Sequence, residues 1–240
     1  MCSGVFCIIF QKIKTNLTRL RGIRLKGLGK SQLTIKEFAA TSLLAAIILL
    51  MTFTPFGFIN LAVINATIVH VPVIIGSILM GPRAGACLGG IFGLASVIRN
   101  TISPTILSFA FSPLVPVPGA ERGSLVAILI CFLQRVLVGI VPHYTRRVLE
   151  TIPLLKKSNA IGLFLSGVAG SVTNTILVMH LIFFLFKDAF AQARNVPVDA
   201  VYALVVSIIT ANGIPEAILA GVLSSAVCKS VETYRASLST

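Results

Sequence analysis

Acidic side chains are scarce in this sequence: 240 residues hold 7 Asp and Glu, and only 11% of the chain is charged. A soluble domain is charged at about a quarter of its positions, so this chain could not cover a water-facing surface. An ordinary cytosolic enzyme is a poor fit on that ground alone. Catalytic groupings are missing too. His70, His143 and His180 lie far apart, with no H-E-x-x-H and no paired ligand spacing. There is no G-x-S-x-G elbow, and no two acids lie close together within an apolar run, which argues against an intramembrane enzyme. Cys2, Cys7, Cys87, Cys131 and Cys228 are scattered without a C-x-x-C pair, so neither a disulfide framework nor a zinc site is expected. They read as small core residues.

What the chain has in abundance is apolar surface: 56% of residues are hydrophobic and the mean hydropathy is +0.98. Its charge is one-sided, 20 Lys and Arg giving a formal net of +13. A basic chain can serve nucleic acid, but this apolar excess points to a bilayer, with the cations at its anionic inner surface. The reading is an integral membrane protein that contacts lipid and no nucleic acid. Six apolar runs approach the about 20 residues that a spanning helix needs: 37–53, 60–80, 84–103, 123–141, 160–186 and 200–228. The expected fold is an all-α membrane protein, a compact bundle of six transmembrane helices. Between the third and fourth runs, residues 103–119 include Pro104, Pro113, Pro116 and Pro118 and cannot continue a helix. A loop of that length is usually functional. With the N-terminus inside, 15 of the 20 cations fall on inner segments, while Arg99, Arg122, Lys187 and Arg194 mark the outer ends. This bias places both termini in the cytoplasm and the Pro-rich loop outside.

Residues 1–36 stand apart as a basic cytoplasmic leader of eight cations and no acid, ahead of a membrane domain over 37–240. Phe10, Ile13, Leu17 and Leu20 would share one helical face, so a short interfacial helix and a plain basic leader both fit. Gly27-Leu28-Gly29-Lys30-Ser31 ends like a phosphate-binding loop. Arg24 stands where the first glycine belongs and no apolar strand precedes it, so nucleotide binding is not expected.

Two kinds of residue inside the spans need a reason. The first is small. Gly81, Gly85, Gly89 and Gly93 recur every four residues, one bare stripe that lets another backbone approach closely. Its partner is either a helix of this chain or another protein. Gly162, Ser166 and Gly170, then Ala217, Gly221 and Ser225, repeat the pattern, and the first span offers Thr41/Ala45 and Ser42/Ala46. The second kind is polar. Charge within a bilayer is costly by at least a few kcal/mol. Glu216 follows Asn212 by four residues, on one helical face, with Pro215 between them inviting a kink. Ser171, Asn174 and Thr175 share a face at comparable depth. These groups either line a polar pocket or bond the helices together. Arg99 either meets an anionic ligand or snorkels to the headgroups. Arg135, deeper, either pairs with Glu216 or contacts substrate. His70, two residues before Pro72, is a candidate ligand group or a satisfied core histidine. No complete nucleotide loop and no carboxylate relay is present, so uphill movement needs energy from a partner.

Ile68-Val69-His70-Val71-Pro72-Val73-Ile74-Ile75-Gly76, Gly81-Pro82-Arg83-Ala84-Gly85 and Gly89-Gly90-Ile91-Phe92-Gly93 resemble the substrate-binding S components of energy-coupling factor (ECF) vitamin transporters. Ile98-Arg99-Asn100-Thr101, Phe111-Ser112-Pro113, Arg135-Val136-Leu137-Val138-Gly139, Gly170-Ser171-Val172-Thr173-Asn174-Thr175 and Ala211-Asn212-Gly213-Ile214-Pro215-Glu216 continue the likeness in order over about 38–228. The pantothenate type is the most similar. The resemblance implies a six-helix, multi-pass protein of a prokaryotic cell membrane. Such a protein is no enzyme and carries no cofactor. It captures a vitamin from outside and joins a membrane coupling subunit driven by two ATPases that use ATP. For pantothenate, Arg99 would meet the carboxylate, with Asn174, Asn212 and Glu216 for hydroxyl and amide groups; His70 and Arg135 complete the candidate set. Family docking by small-x-x-x-small surface implies Thr41 and Ala45, with Ser42 and Ala46, and the Gly81–Gly93 stripe is a further candidate. Two departures stand out: Thr or Ser opens the pattern where Ala is usual, and Gln134 precedes Arg135 where relatives often have Pro. A ligand-free scaffold subunit, or an S component for riboflavin, folate, thiamine or biotin, are the alternatives. The absence of Trp weighs against a flat aromatic ligand.

Overall fold

The computed structural model describes residues 35–61, 64–152 and 158–237. The expected leader helix, Cys2, Cys7 and the Gly27–Ser31 stretch lie outside the described residues. Seven helical segments are present among the described residues: α1 Ile35–Phe53, α2 Val71–Met80, α3 Pro82–Ile102, α4 Val126–Glu150, α5 Asn159–Arg194, α6 Val201–Ile208 and α7 Ile214–Ser237. A π-turn, Ile209–Gly213, joins α6 to α7, and the run Val198–Ser237 reads as one candidate span. Together with α3, α4 and α5 it makes four helices long and apolar enough to cross a membrane, while α1 and α2 are shorter.

The expected span 60–80 is not one helix. Phe58–Leu61 (β1) and Ile64–Thr67 (β2) pair antiparallel, with Asn60 opposite Asn65, and only α2 is helical. Pro72 is the cause. It has no N–H to offer the carbonyl of Ile68, and its ring crowds that carbonyl, so the helix must begin where Pro occupies its first turn. Ten residues of α2 rise only about 15 Å, half a bilayer core. Gly81 then takes φ +93 and turns the chain directly into α3.

Helix ends elsewhere overshoot the apolar runs. α4 continues from the expected limit at 141 through Pro142 to Glu150, because Arg146 closes an ion pair with Glu150 one turn on, Nε to Oε1 2.8 Å. Arg146 also meets Glu232 of α7 at 2.7 Å, and Asn159 of α5 donates to Glu232 at 2.6 Å. One cation thus ties three helices at the end of the bundle opposite the α3–α4 loop. α5 runs past the expected end at 186 as well, but kinks there: Phe186 has φ −138 and ψ 33.

The glycine stripe packs against a helix of the chain itself, one of the two partners left open for it. A Cβ on Gly85 would strike the carbonyl oxygen of Gly139, one on Gly139 the carbonyl of Gly85, and one on Gly89 the carbonyl of Arg135. A Cβ on Gly93 would come within 3.1 Å of the Phe132 ring, and Gly81 serves the turn. α3 and α4 therefore cross backbone to backbone. A Cβ on Gly90, off the stripe, would meet nothing within 4 Å beyond its own helix. Thr41 and Ala45 also turn inward: Thr41 is buried with its hydroxyl 3.4 Å from the Met80 sulfur, and Ala45 packs on the core around Ile48, Ile74 and Leu88. Ser42 and Ala46, on the other side of α1, are exposed.

Candidate functional site

The buried face of α4 reads Ala127, Ile130/Cys131, Gln134/Arg135, Val138/Gly139 and Pro142, a helical stripe with two polar residues at its centre. Those two border a cavity of about 500 Å³. α3 contributes Phe92, Ser96, Arg99 and Asn100 along one side; α5 contributes Asn174, Thr175 and Met179; Asn212 of the π-turn and Glu216 of α7 close the far wall. Thr67, at the end of β2, and Leu107 and Phe111 of the α3–α4 loop complete it. Five of the six expected ligand residues, Arg99, Arg135, Asn174, Asn212 and Glu216, are thus brought together from five separate elements. The sixth is not. His70 is 1% exposed and lies behind the wall, its Nε2 3.1 Å from the Ser171 hydroxyl. Ser171 is likewise buried in the wall, off the lining.

Asn212 reaches the cavity through the π-turn. Pro215 cannot donate to the carbonyl of Ala211, so the helix widens just before it, and a π-turn directs an extra residue toward the inner face. Glu216, 8% exposed, is held rather than idle: its Oε1 accepts from the Thr67 backbone N–H at 2.7 Å and its Oε2 from the Thr175 hydroxyl at 3.5 Å. It fastens the β-hairpin to the cavity wall. The expected alternative of an Arg135–Glu216 ion pair is not what forms. Arg135 donates to the Cys131 carbonyl at 2.9 Å and to the Ser96 hydroxyl at 2.7 Å, and its guanidinium lies 4.5 Å over Phe92 and 5.4 Å from Phe111.

The Pro-rich stretch is a loop, as expected, and a packed one. Ser108, Phe109, Ala110 and Ser112 are buried, and the Phe109 ring meets Phe186, at the α5 kink, edge-on with centroids 5.6 Å apart. Short polar side chains at the end of α3 and within the loop fasten it. Asn100 Oδ1 accepts from the Ser108 hydroxyl at 2.7 Å, Thr101 and Ser112 share a hydrogen bond of 2.7 Å, and Ser108 also receives the Thr105 N–H at 2.7 Å. One turn of α3 thereby presents Arg99 to the cavity and pins the loop over it. Among the described residues, no three His, Cys, Asp or Glu side chains gather as a metal site.

Comparison with known proteins accords with this geometry. A family model, ECF transporter, substrate-specific component, matches residues 36–228. The chain is also similar to the pantothenic acid transporter PanT of Lactococcus lactis subsp. cremoris, at 36% identity over 172 residues, which cover 72% of this chain and 80% of that protein.

Proposed function

We propose, from the premise that this chain belongs to the substrate-specific component family of ECF transporters, that it captures pantothenate and delivers it to a coupling subunit. The observation that carries this reading is the cavity's composition: Arg99 at its edge and Arg135 deeper, four carboxamides, Asn100, Gln134, Asn174 and Asn212, a single carboxylate, Glu216, held by Thr67 and Thr175, and apolar walls between them. Pantothenate combines a carboxylate, an amide and two hydroxyls on a short branched chain. It needs a cationic fork at one end, neutral hydrogen-bond partners along its length and apolar contact for its methyl groups. The similarity to a pantothenic acid transporter supports the same vitamin. A flat ligand such as riboflavin would need a free aromatic face. The two Phe rings lining the cavity, Phe92 and Phe111, already stack against Arg135.

In this reading the loop over the cavity faces outside, and the end that holds Arg146 and Glu232 faces the cytoplasm, as the cation distribution implies. Both termini are then cytoplasmic. The exposed small residues of α1, Ser42 and Ala46, offer the docking surface for the coupling subunit, whose two ATPases supply energy from ATP. Thr41 and Ala45, turned into the chain's own core, do not.

Pantothenate uptake by cells that lack their own importer, with the coupling subunit and ATPases co-expressed, tests this. Uptake should require both this chain and the module. Ser42→Phe combined with Ala46→Phe should cut it about tenfold or more by blocking close helix approach, while purified protein still binds the vitamin. Uptake that is indifferent to the two phenylalanines would remove α1's exposed face as the docking site. Uptake absent even with the intact chain would remove the transport reading.

A further inference from the structure

Gln134 is the least comfortable side chain around the cavity. It is 1% exposed, it lines the cavity, and its Oε1 is buried with no hydrogen-bond partner. Beside it the Nε of Arg135 is in the same condition, although that guanidinium is otherwise satisfied by Cys131 and Ser96. A buried amide oxygen left without a partner is costly, and buried polar groups in folded proteins are nearly always bonded. The group that relieves such an atom in a ligand cavity is the ligand. Position matters as well. Ser96, which touches Arg135, lies one helical turn below Arg99 on α3, a rise of about 4.5 Å. A ligand whose carboxylate sits at Arg99 and whose chain runs deeper brings its next polar group, the amide, to the level of Gln134 and Arg135.

We propose that Gln134 determines specificity in this cavity by accepting a hydrogen bond from the amide N–H of the vitamin. This rests on the pantothenate reading above and deepens it. The side chain discriminates because it presents an acceptor where an ester analogue would present only another oxygen. Two lone pairs facing each other repel, and the penalty falls on the wrong ligand.

The experiment is a cycle between Gln134→Met and the ester analogue of pantothenate, in which oxygen replaces the amide N–H, with both ligands measured on purified full-length protein. Intact protein should prefer pantothenate over the ester by about tenfold or more. Q134M should lose about tenfold in pantothenate affinity and bind the ester nearly unchanged, so that the preference collapses toward parity. Methionine fills the same volume and removes an unsatisfied group, so the melting temperature of the ligand-free protein should not fall. A preference that survives in Q134M overturns the proposal. So does an equal loss of both ligands, which marks a structural role. Intact protein that binds neither ligand refutes the vitamin assignment itself, and this role with it.

Discussion

Replacing Arg99 with alanine should lower pantothenate affinity by about 100-fold, or about 2.7 kcal/mol, while leaving the protein folded. The size follows from what would be lost in the proposed binding mode: a forked, charge-assisted pair between guanidinium and carboxylate. The site has a second arginine, but it cannot substitute. Arg135 gives Nη1 to the Cys131 carbonyl, Nη2 to the Ser96 hydroxyl and its face to Phe92, and its remaining Nε is buried, so it holds α3 against α4. Arg99→Lys should fall between, losing about tenfold, because an ammonium keeps the charge without the fork. The alcohol analogue, with the carboxylate reduced to a hydroxymethyl group, supplies the cross-check. It should bind intact protein weakly and lose almost nothing further in R99A. Equilibrium binding of radiolabelled ligand, with a melting curve for each variant, reads all of this. Full affinity in a folded R99A protein would move the carboxylate to another part of the cavity.

Gly85→Val should abolish accumulation of folded protein, and Gly90→Val should be nearly silent. The first puts a Cβ onto the carbonyl of Gly139, and backbone cannot step aside as a flexible side-chain tip can. α3 and α4 would have to separate along their whole crossing, costing about 3 kcal/mol or more. Gly139→Val should fail in the same way from the other side. A Cβ on Gly90 would meet nothing within 4 Å beyond its own helix, so its change is confined to about 0.5 kcal/mol of local effects. Yield of monodisperse protein from membranes and its melting temperature separate the two. If instead the stripe served docking, G85V would fold and bind vitamin normally and fail only to join the coupling subunit.

Much of this arrangement was legible in the sequence. Spans appear as apolar runs because lipid demands them, and the exceptions stand out because lipid penalises them. Arg99, Asn174, Asn212 and Glu216 were visible on that ground alone, and all four meet at one cavity. Which way a small residue faces was not legible. Thr41 and Ser42 differ by one position and about 100° of helix turn, and only packing against Met80 and the core sends one inward. The hairpin was hidden for another reason. Residues 58–67 are apolar enough to pass for the start of a span, and Pro72 signals where the helix begins without saying what precedes it. Glu216 was legible as a buried acid. Its actual partner, the backbone N–H of Thr67, lies 149 residues away, a distance no local pattern reports. Gln134 attracted notice only as a departure from a familiar motif, because burial and an unpaired oxygen are properties of the folded cavity.

In the proposed function this chain holds pantothenate by itself, before any partner is involved. Equilibrium binding of radiolabelled pantothenate, riboflavin, folate, thiamine and biotin to the purified protein, without coupling subunit or ATP, tests it most directly. Pantothenate should bind saturably at one site per chain, and none of the other four should bind at the same concentrations. Tight binding of a different vitamin would contradict the assignment, and binding of none would contradict capture by this chain altogether.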